Sequence, residues 1–237
     1  MSTTRKAFYK GAAHALPFFM VIVPFAMLFG VLSAEAGLGP WETQLFSIAV
    51  FAGASQLAAL QLMQDQAPVL VILATGLAVN LRMMMYSVAL TPHLGAAPLG
   101  MRAIVAYFLV DQSFALSLAE YEKQRDLTVP EKVAYFFGTV TPITAVWNVS
   151  TAVGVHLGRA VPDSWGLDFA MPITFIGMTA AMLRTMPHAV AMTVSVGVTL
   201  MLWAMPYGTG LLVGAATGMA AGALAEAWSE RREGARQ

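Results

Sequence analysis

The chain has 237 residues, 58% hydrophobic and 11% charged, with 13 basic and 13 acidic side chains and a net charge of zero. A soluble domain carries about 25% charged residues, so the composition points to a membrane protein, and the even balance gives no basis for binding nucleic acid. There is no cysteine, which excludes disulfides, thiolate metal sites and thiol nucleophiles.

Residues 1–13 form a basic tail with Arg5, Lys6 and Lys10. The apolar run from about 16 to 32, followed by Ala34-Glu35-Ala36, has the outline of a signal peptide. It is longer than the roughly 7–15 apolar residues such a peptide uses, and further apolar runs follow at once. It reads as an uncleaved first transmembrane helix. Eight apolar segments succeed one another, near 14–36, 43–63, 68–90, 101–120, 132–157, 169–186, 187–205 and 208–228. The sixth and seventh meet at Met186-Pro187-His188 and can be one kinked segment, so seven spans is the alternative count. The longest polar gap, about 121–132, leaves no soluble domain. The expectation is an all-α integral membrane protein with a single transmembrane domain over 1–237, closed by a second basic tail at 229–237.

Lys and Arg set the orientation. With eight spans and both termini cytoplasmic, the inside receives ten of the 13 basic residues and the outside only Arg102 and Arg159, with Arg82 left inside a span. Trp41, Phe51 and Gly53 recur at equal spacing as Trp165, Phe175 and Gly177, and Pro24 and Pro142 hold similar places in spans one and five. A four-plus-four duplication would account for this.

The polar residues within the spans carry the functional reading. Span two holds Phe51-Ala-Gly-Ala-Ser-Gln56. Its small residues allow close helix approach or a broken helix, and Ser55 and Gln56 offer hydrogen-bonding groups at depth. A packing face with Gln56 bonded to a neighbour is the plainer alternative. Span three carries Asn80-Leu81-Arg82 at its centre, where a cation costs at least ~2.5–3.5 kcal/mol on insertion scales unless a partner or water satisfies it. Gly76, Asn80 and Ser87 share one side, and Thr75, Arg82 and Tyr86 another. Asn80 and Arg82 therefore point about 200° apart. Either this helix touches two environments or it is distorted near Asn80.

Span four places Tyr107, Asp111 and Phe114 on one face, with Asp111 the only acid deep within a predicted span. An Arg82–Asp111 ion pair fixing register is one reading. The other has Arg82 gripping a substrate carboxylate while Asp111 carries a proton or meets an amino group. Span five sets Thr141, Thr144, Asn148 and Thr151 in a stripe, with Pro142 able to open the backbone. Such threonines also bond to their own preceding turn, which makes a packing face equally compatible. Span eight repeats Gly210, Gly214, Gly218 and Gly222, a ridge for close helix contact.

These segments, GASQ in span two, Asn80-Leu-Arg82 with Tyr86-Ser87, and Asp111-Gln-Ser-Phe-Ala115, resemble the AzlC family of branched-chain amino acid permeases. The similarity runs from about Leu16 to Leu224. The resemblance implies proton-driven export of leucine, isoleucine and valine, and of methionine as a further substrate, across a bacterial inner membrane, with a small AzlD-type membrane subunit as partner. The family pattern has a second acid after the aspartate of span four, where this chain has Gln112. On this reading Arg82 binds the carboxylate and Asp111 couples to protons. Asn80, Gln56, Ser55, Tyr86 and Asn148 contribute to the substrate site, and Met83-Met84-Met85 is a candidate apolar contact. No GxxxxGK[ST] motif is present, so no P-loop binds ATP here. No cofactor is expected, and no metal either, because His14, His93, His156 and His188 form no ligand pair.

Three other readings compete. A membrane-embedded enzyme needs a nucleophile and a base together, and Ser55 has no histidine at its depth. A non-transporting scaffold subunit has no use for Arg82 and Asp111 within the membrane. A carrier of a different small zwitterion satisfies the same residues.

Overall fold

The computed structural model describes residues 3–158, 183, 185–205 and 209–234. Every described element is helical, as backbone that crosses lipid without water must be unless it closes into a barrel. Thr3–Ala15 (α1) passes through one 3-10 turn at Leu16–Phe18 into Phe19–Glu35 (α2). Then come Pro40–Ala49 (α3), Gly53–Gln64 (α4), Val69–Leu94 (α5), Leu99–Tyr107 (α6), Asp111–Lys123 (α7) and Val129–Gly158 (α8). Met186–Met201 (α9) and Thr209–Gly234 (α10) complete the set. Three described stretches are long and apolar enough to cross a membrane unaided: Thr3–Glu35, Val69–Leu94 and Thr209–Ser229. At 30 residues α8 is about 45 Å long, enough in length alone.

The chain forms two compact units. One comprises Met1–Leu60 and Val79–Pro162, the other Gln61–Ala78 and Asp163–Gln237. In the first, the α1–α2 run lies along α8. Gly11 abuts Tyr135 and Gly30 abuts Thr151, while Gly138 abuts the Phe8 carbonyl and Gly154 that of Met27. Positions rise together on both partners, so the two run parallel. That direction needs an odd number of crossings between them; Tyr86 meets Asp111 and His93 meets Tyr121, so α5 and α7 run the same way, where predicted spans three and four would run oppositely. A Cβ on Gly138 or Gly154 would land on a backbone oxygen, so these glycines fix how closely the helices meet. Pro142 leaves α8 continuous, and Pro24 leaves α2 continuous. The opening of the backbone expected at Pro142 is not seen; lacking a donor at one position, the helix carries on.

Spans two and four differ from the simplest expectation, one unbroken helix each. The chain leaves helical geometry at 50–52 and again at 108–110. Span five's polar stripe takes the plainer of its two readings at two positions. Thr141 and Thr144 hydroxyls donate to the carbonyls of Phe137 and Val140 at 2.6 and 2.9 Å.

In the second unit α9 and α10 form an antiparallel pair. Gly214 faces Thr199 and Ser195, Gly218 faces Ser195 and Ala191, and Gly222 faces Ala191 and Pro187. The glycine ridge of span eight thus has its partner in this chain, on the small-residue face of α9. Helix α9 starts at Met186, after an extended Thr185 and with Pro187 in its first turn. Most of the predicted sixth span, and Trp165, Phe175 and Gly177 of the predicted repeat, lie outside the described residues.

Candidate functional site

The two broken spans share one layout. In the first, α3 has 10 residues and α4 has 12, around a break at 50–52. In the second, α6 has 9 and α7 has 13, around 108–110. Each break exposes carbonyls at the end of one half-helix and N–H groups at the start of the next. Discontinuous helices of this kind build substrate and ion sites in membrane transporters.

The breaks meet. The Phe51 ring lies 6.5 Å from Tyr107 and 5.9 Å from Phe108. The Tyr107 hydroxyl donates to the Ile48 carbonyl in the last turn of α3. Trp147 of α8 backs the first break, with its ring 6.4 Å from Phe51 and its indole N–H donating to Ser47 Oγ at 2.8 Å. Gly53 opens α4 against the rings of Phe25 and Trp147, where a Cβ would collide with both.

At the second break Val110 is extended (φ −132°, ψ 167°) and its N–H donates to Ser113 Oγ at 3.0 Å. Asp111 is the first residue of α7, so its carboxylate sits at the positive end of a half-helix. Arg82 Nη2 meets Asp111 Oδ2 at 3.1 Å, and the Tyr86 hydroxyl donates to Asp111 Oδ1 at 2.9 Å. Phe114, one turn into α7, stacks on the Tyr86 ring at 4.1 Å and 8°. The pair is not sealed: the Arg82 and Asp111 side chains keep 23% and 42% of their exposure. Arg82 Nε and Asn80 Oδ1 are buried and have no hydrogen-bond partner among the described residues. Arg82 therefore retains a donor beyond its bond to Asp111.

The structure brings Arg82, Tyr86 and Asp111 into direct contact. Helix α5 is continuous through Asn80 and Arg82, so of the two alternatives for this span it touches two environments rather than bending. Tyr107 and Asp111 do not share a helix face, because the break at 108–110 separates them. Gln56 and Ser55 lie buried in the first turn of α4. Gln56 Nε2 donates to the Phe46 carbonyl at 3.4 Å, helping to cap α3. Asn148 ties α8 to α3, accepting from Gln44 Nε2 at 2.6 Å and donating to the Thr144 carbonyl at 2.9 Å. Met84 and Met85 are exposed on α5. A different, mostly apolar surface lies further along α5: a cavity of about 220 Å³ between α5 and α6, lined by Leu90, Leu94, Val105, Leu109 and Arg102, and not by Arg82, Tyr86 or Asp111. Its wall includes Ser87, next to Tyr86, and Leu109, within the second break.

Sequence reasoning passed over Gln44, Trp147 and Glu120. Trp147 sits beside Asn148 in the polar stripe, which was the available signal. Glu120, at the end of predicted span four, is the more enclosed of the two acids: it is 5% exposed, against 42% for Asp111, and is paired with Lys10. Among the described residues no cluster of His, Asp and Glu could hold a metal.

Three relatives place this chain among membrane proteins. An "Uncharacterized membrane protein" of Archaeoglobus fulgidus is 32% identical over 154 residues, 65% of this chain and 64% of that one. A protein of the same description from Helicobacter pylori is 26% identical over 172 residues, 72% and 73% of the two chains. The "Inner membrane protein YgaZ" of Escherichia coli is 22% identical over 180 residues, 73% and 72%. No solved structure matches. The family described as "AzlC protein" matches residues 17–161, which hold both broken spans and the Arg82–Tyr86–Asp111 cluster. This chain is a membrane protein of the AzlC family.

Proposed function

We propose that this protein is a secondary transporter that exports branched-chain amino acids across a bacterial inner membrane, coupled to protons and working with a small AzlD-type membrane subunit. The observation that carries this reading is the Arg82–Tyr86–Asp111 cluster at the start of a half-helix; a largely apolar cavity lies further along α5. A zwitterion with an aliphatic side chain needs a cation for its carboxylate, an anion for its ammonium and an apolar pocket. Arg82 supplies the first with a planar fork of donors suited to a carboxylate. Asp111 supplies the second. The cavity lined by Leu90, Leu94, Val105 and Leu109 suits an isobutyl or isopropyl group.

The mechanism follows from competition for two charges. With no substrate, Arg82 and Asp111 neutralise each other. A substrate carboxylate draws the guanidinium, and the ammonium or a proton then replaces Arg82 at Asp111. The empty pair and the site holding a whole zwitterion are each net neutral, while an Asp111 left without Arg82, ammonium or proton is an unpaired anion, which disfavours movement of a half-loaded carrier through a low-dielectric interior. The crossing breaks give the backbone two adjacent points at which half-helices can tilt.

The test is efflux of labelled valine from cells lacking their own exporters, with this chain alone and with its small partner. The expected result is efflux that requires both chains and vanishes with a proton uncoupler. Absence of efflux from cells with confirmed membrane insertion would favour a different small zwitterion or a scaffold role.

A further inference from the structure

Glu120 takes no part in the site above, yet its carboxylate is almost wholly buried. It lies on α7 nine residues beyond Asp111, about 13 Å along the same half-helix. Lys10 of α1 meets it at 2.5 Å. A cavity of about 250 Å³ opens at the pair, bordered by Lys6 of α1, Gln124 of α7, and Glu131 and Tyr135 of α8. The Tyr135 hydroxyl is bonded to His14 Nδ1 at 2.7 Å. One residue on, the Tyr121 ring lies 5.2 Å from that of His93 on α5 and faces the Lys132 ammonium at 5.8 Å. Between the two carboxylates, the inward side of α7 carries Ser113 and Ser117, both fully buried. Ser113 Oγ accepts from the Val110 N–H and lies 3.0 Å from the Val110 carbonyl, so it serves the start of α7.

We infer that Glu120 is a second proton-binding carboxylate at the cytoplasmic end of α7, receiving the proton that Asp111 releases, with Lys10 as its counter-ion. This rests on the reading of Asp111 as the coupling residue. In the step itself, protonated Asp111 gives up its proton to water on the cytoplasmic side and becomes a carboxylate again, facing Arg82. The Glu120 carboxylate takes the proton, becomes neutral and releases Lys10, which stays an ammonium. Water in the cavity then accepts the proton, and the Lys10–Glu120 pair re-forms. A fixed clamp between α1 and α7 has no need of a cavity at the pair. Because α7 begins at a break, breaking the pair also frees its far end from α1, so proton arrival and helix movement are linked.

The experiment uses the full chain with its small partner in proteoliposomes. Infrared difference spectra between about pH 4 and pH 9 report protonated carboxyl groups. A band present in wild type and in Asp111→Asn, but lost in Glu120→Gln, is expected. Valine movement driven by a pH gradient is compared with valine exchange at equal pH. Glu120→Gln should lower the driven flux at least tenfold more than the exchange, and Glu120→Asp should restore most of the drive. The inference is overturned if Glu120→Gln keeps the wild-type ratio of driven flux to exchange. It is equally overturned if both fall together and Glu120→Asp rescues neither, which marks a structural clamp. Wild type with exchange but no gradient-driven flux would instead sink the coupling role of Asp111, and that of Glu120 with it.

Discussion

At the break between α3 and α4 the described hydrogen bonds join neutral groups: Trp147 to Ser47, Gln56 to the Phe46 carbonyl, Tyr107 to the Ile48 carbonyl. At the break between α6 and α7 an arginine, a tyrosine and an aspartate converge on the first residue of a half-helix. The two share a backbone device and differ in what fills it. The first is packed by rings, with Phe25, Phe51 and Trp147 around Gly53. The second keeps its charged side chains accessible. One break is filled by rings and the other leaves an ion pair accessible.

The largest effect is expected from making the second break resemble the first in its inability to grip a carboxylate. Arg82→Lys keeps the charge but loses the planar fork. Loss of one charge-assisted hydrogen bond of about 1.5–3 kcal/mol lowers transport by about tenfold or more. The measurement is labelled valine efflux at matched protein levels. Normal efflux from Arg82→Lys would reduce Arg82 to a mere charge and end its binding role.

The reverse change disturbs the ring-filled break. Gly53→Ala forces a methyl against the Phe25 and Trp147 rings, where no space is left for it. Overpacking of this kind costs about 1–3 kcal/mol. The purified protein should unfold at lower temperature while the Arg82–Asp111 pair remains intact. If Gly53→Ala is as stable as wild type, the first break is loosely packed and the contrast between the two dissolves.

The sequence announced some of this and concealed the rest for physical reasons. Long apolar runs mark spans whatever their neighbours do, so the helical membrane fold and the parallel course of spans one and five followed from hydropathy and Lys/Arg placement. Arg82 and Asp111 stood out because charge inside an apolar run is costly. The breaks were harder to see, since hydropathy does not distinguish one helix from two half-helices. The Pro at the start of α3 and the Asp at the start of α7 are helix-start signals, but within an apolar run they carry little weight. Glu120 ends its apolar stretch, where a charge costs little and draws no notice. Its burial depends on Lys10, 110 positions away. The glycine ridge of α10 was visible as a pattern, but its partner face of Ala191, Ser195 and Thr199 is unremarkable in sequence.

The smallest expected effect concerns the contact that joins the two breaks. The Tyr107 hydroxyl spans from the end of α6 to the Ile48 carbonyl of α3, while its ring stays against Phe51 and Phe108. Tyr107→Phe removes the hydroxyl and leaves the ring. One such hydrogen bond is worth about 0.5–1.5 kcal/mol, so the change in transport rate should be a few-fold, with substrate affinity nearly constant because Arg82 and Asp111 are untouched. The sign is informative. If the bond holds the breaks together in the resting arrangement, its loss lowers the barrier to tilting and speeds exchange of valine across the membrane. If it forms only when the site is occupied, its loss slows exchange instead. A rate equal to wild type in both directions would show that the two breaks move independently, and that their contact through Phe51 is packing alone.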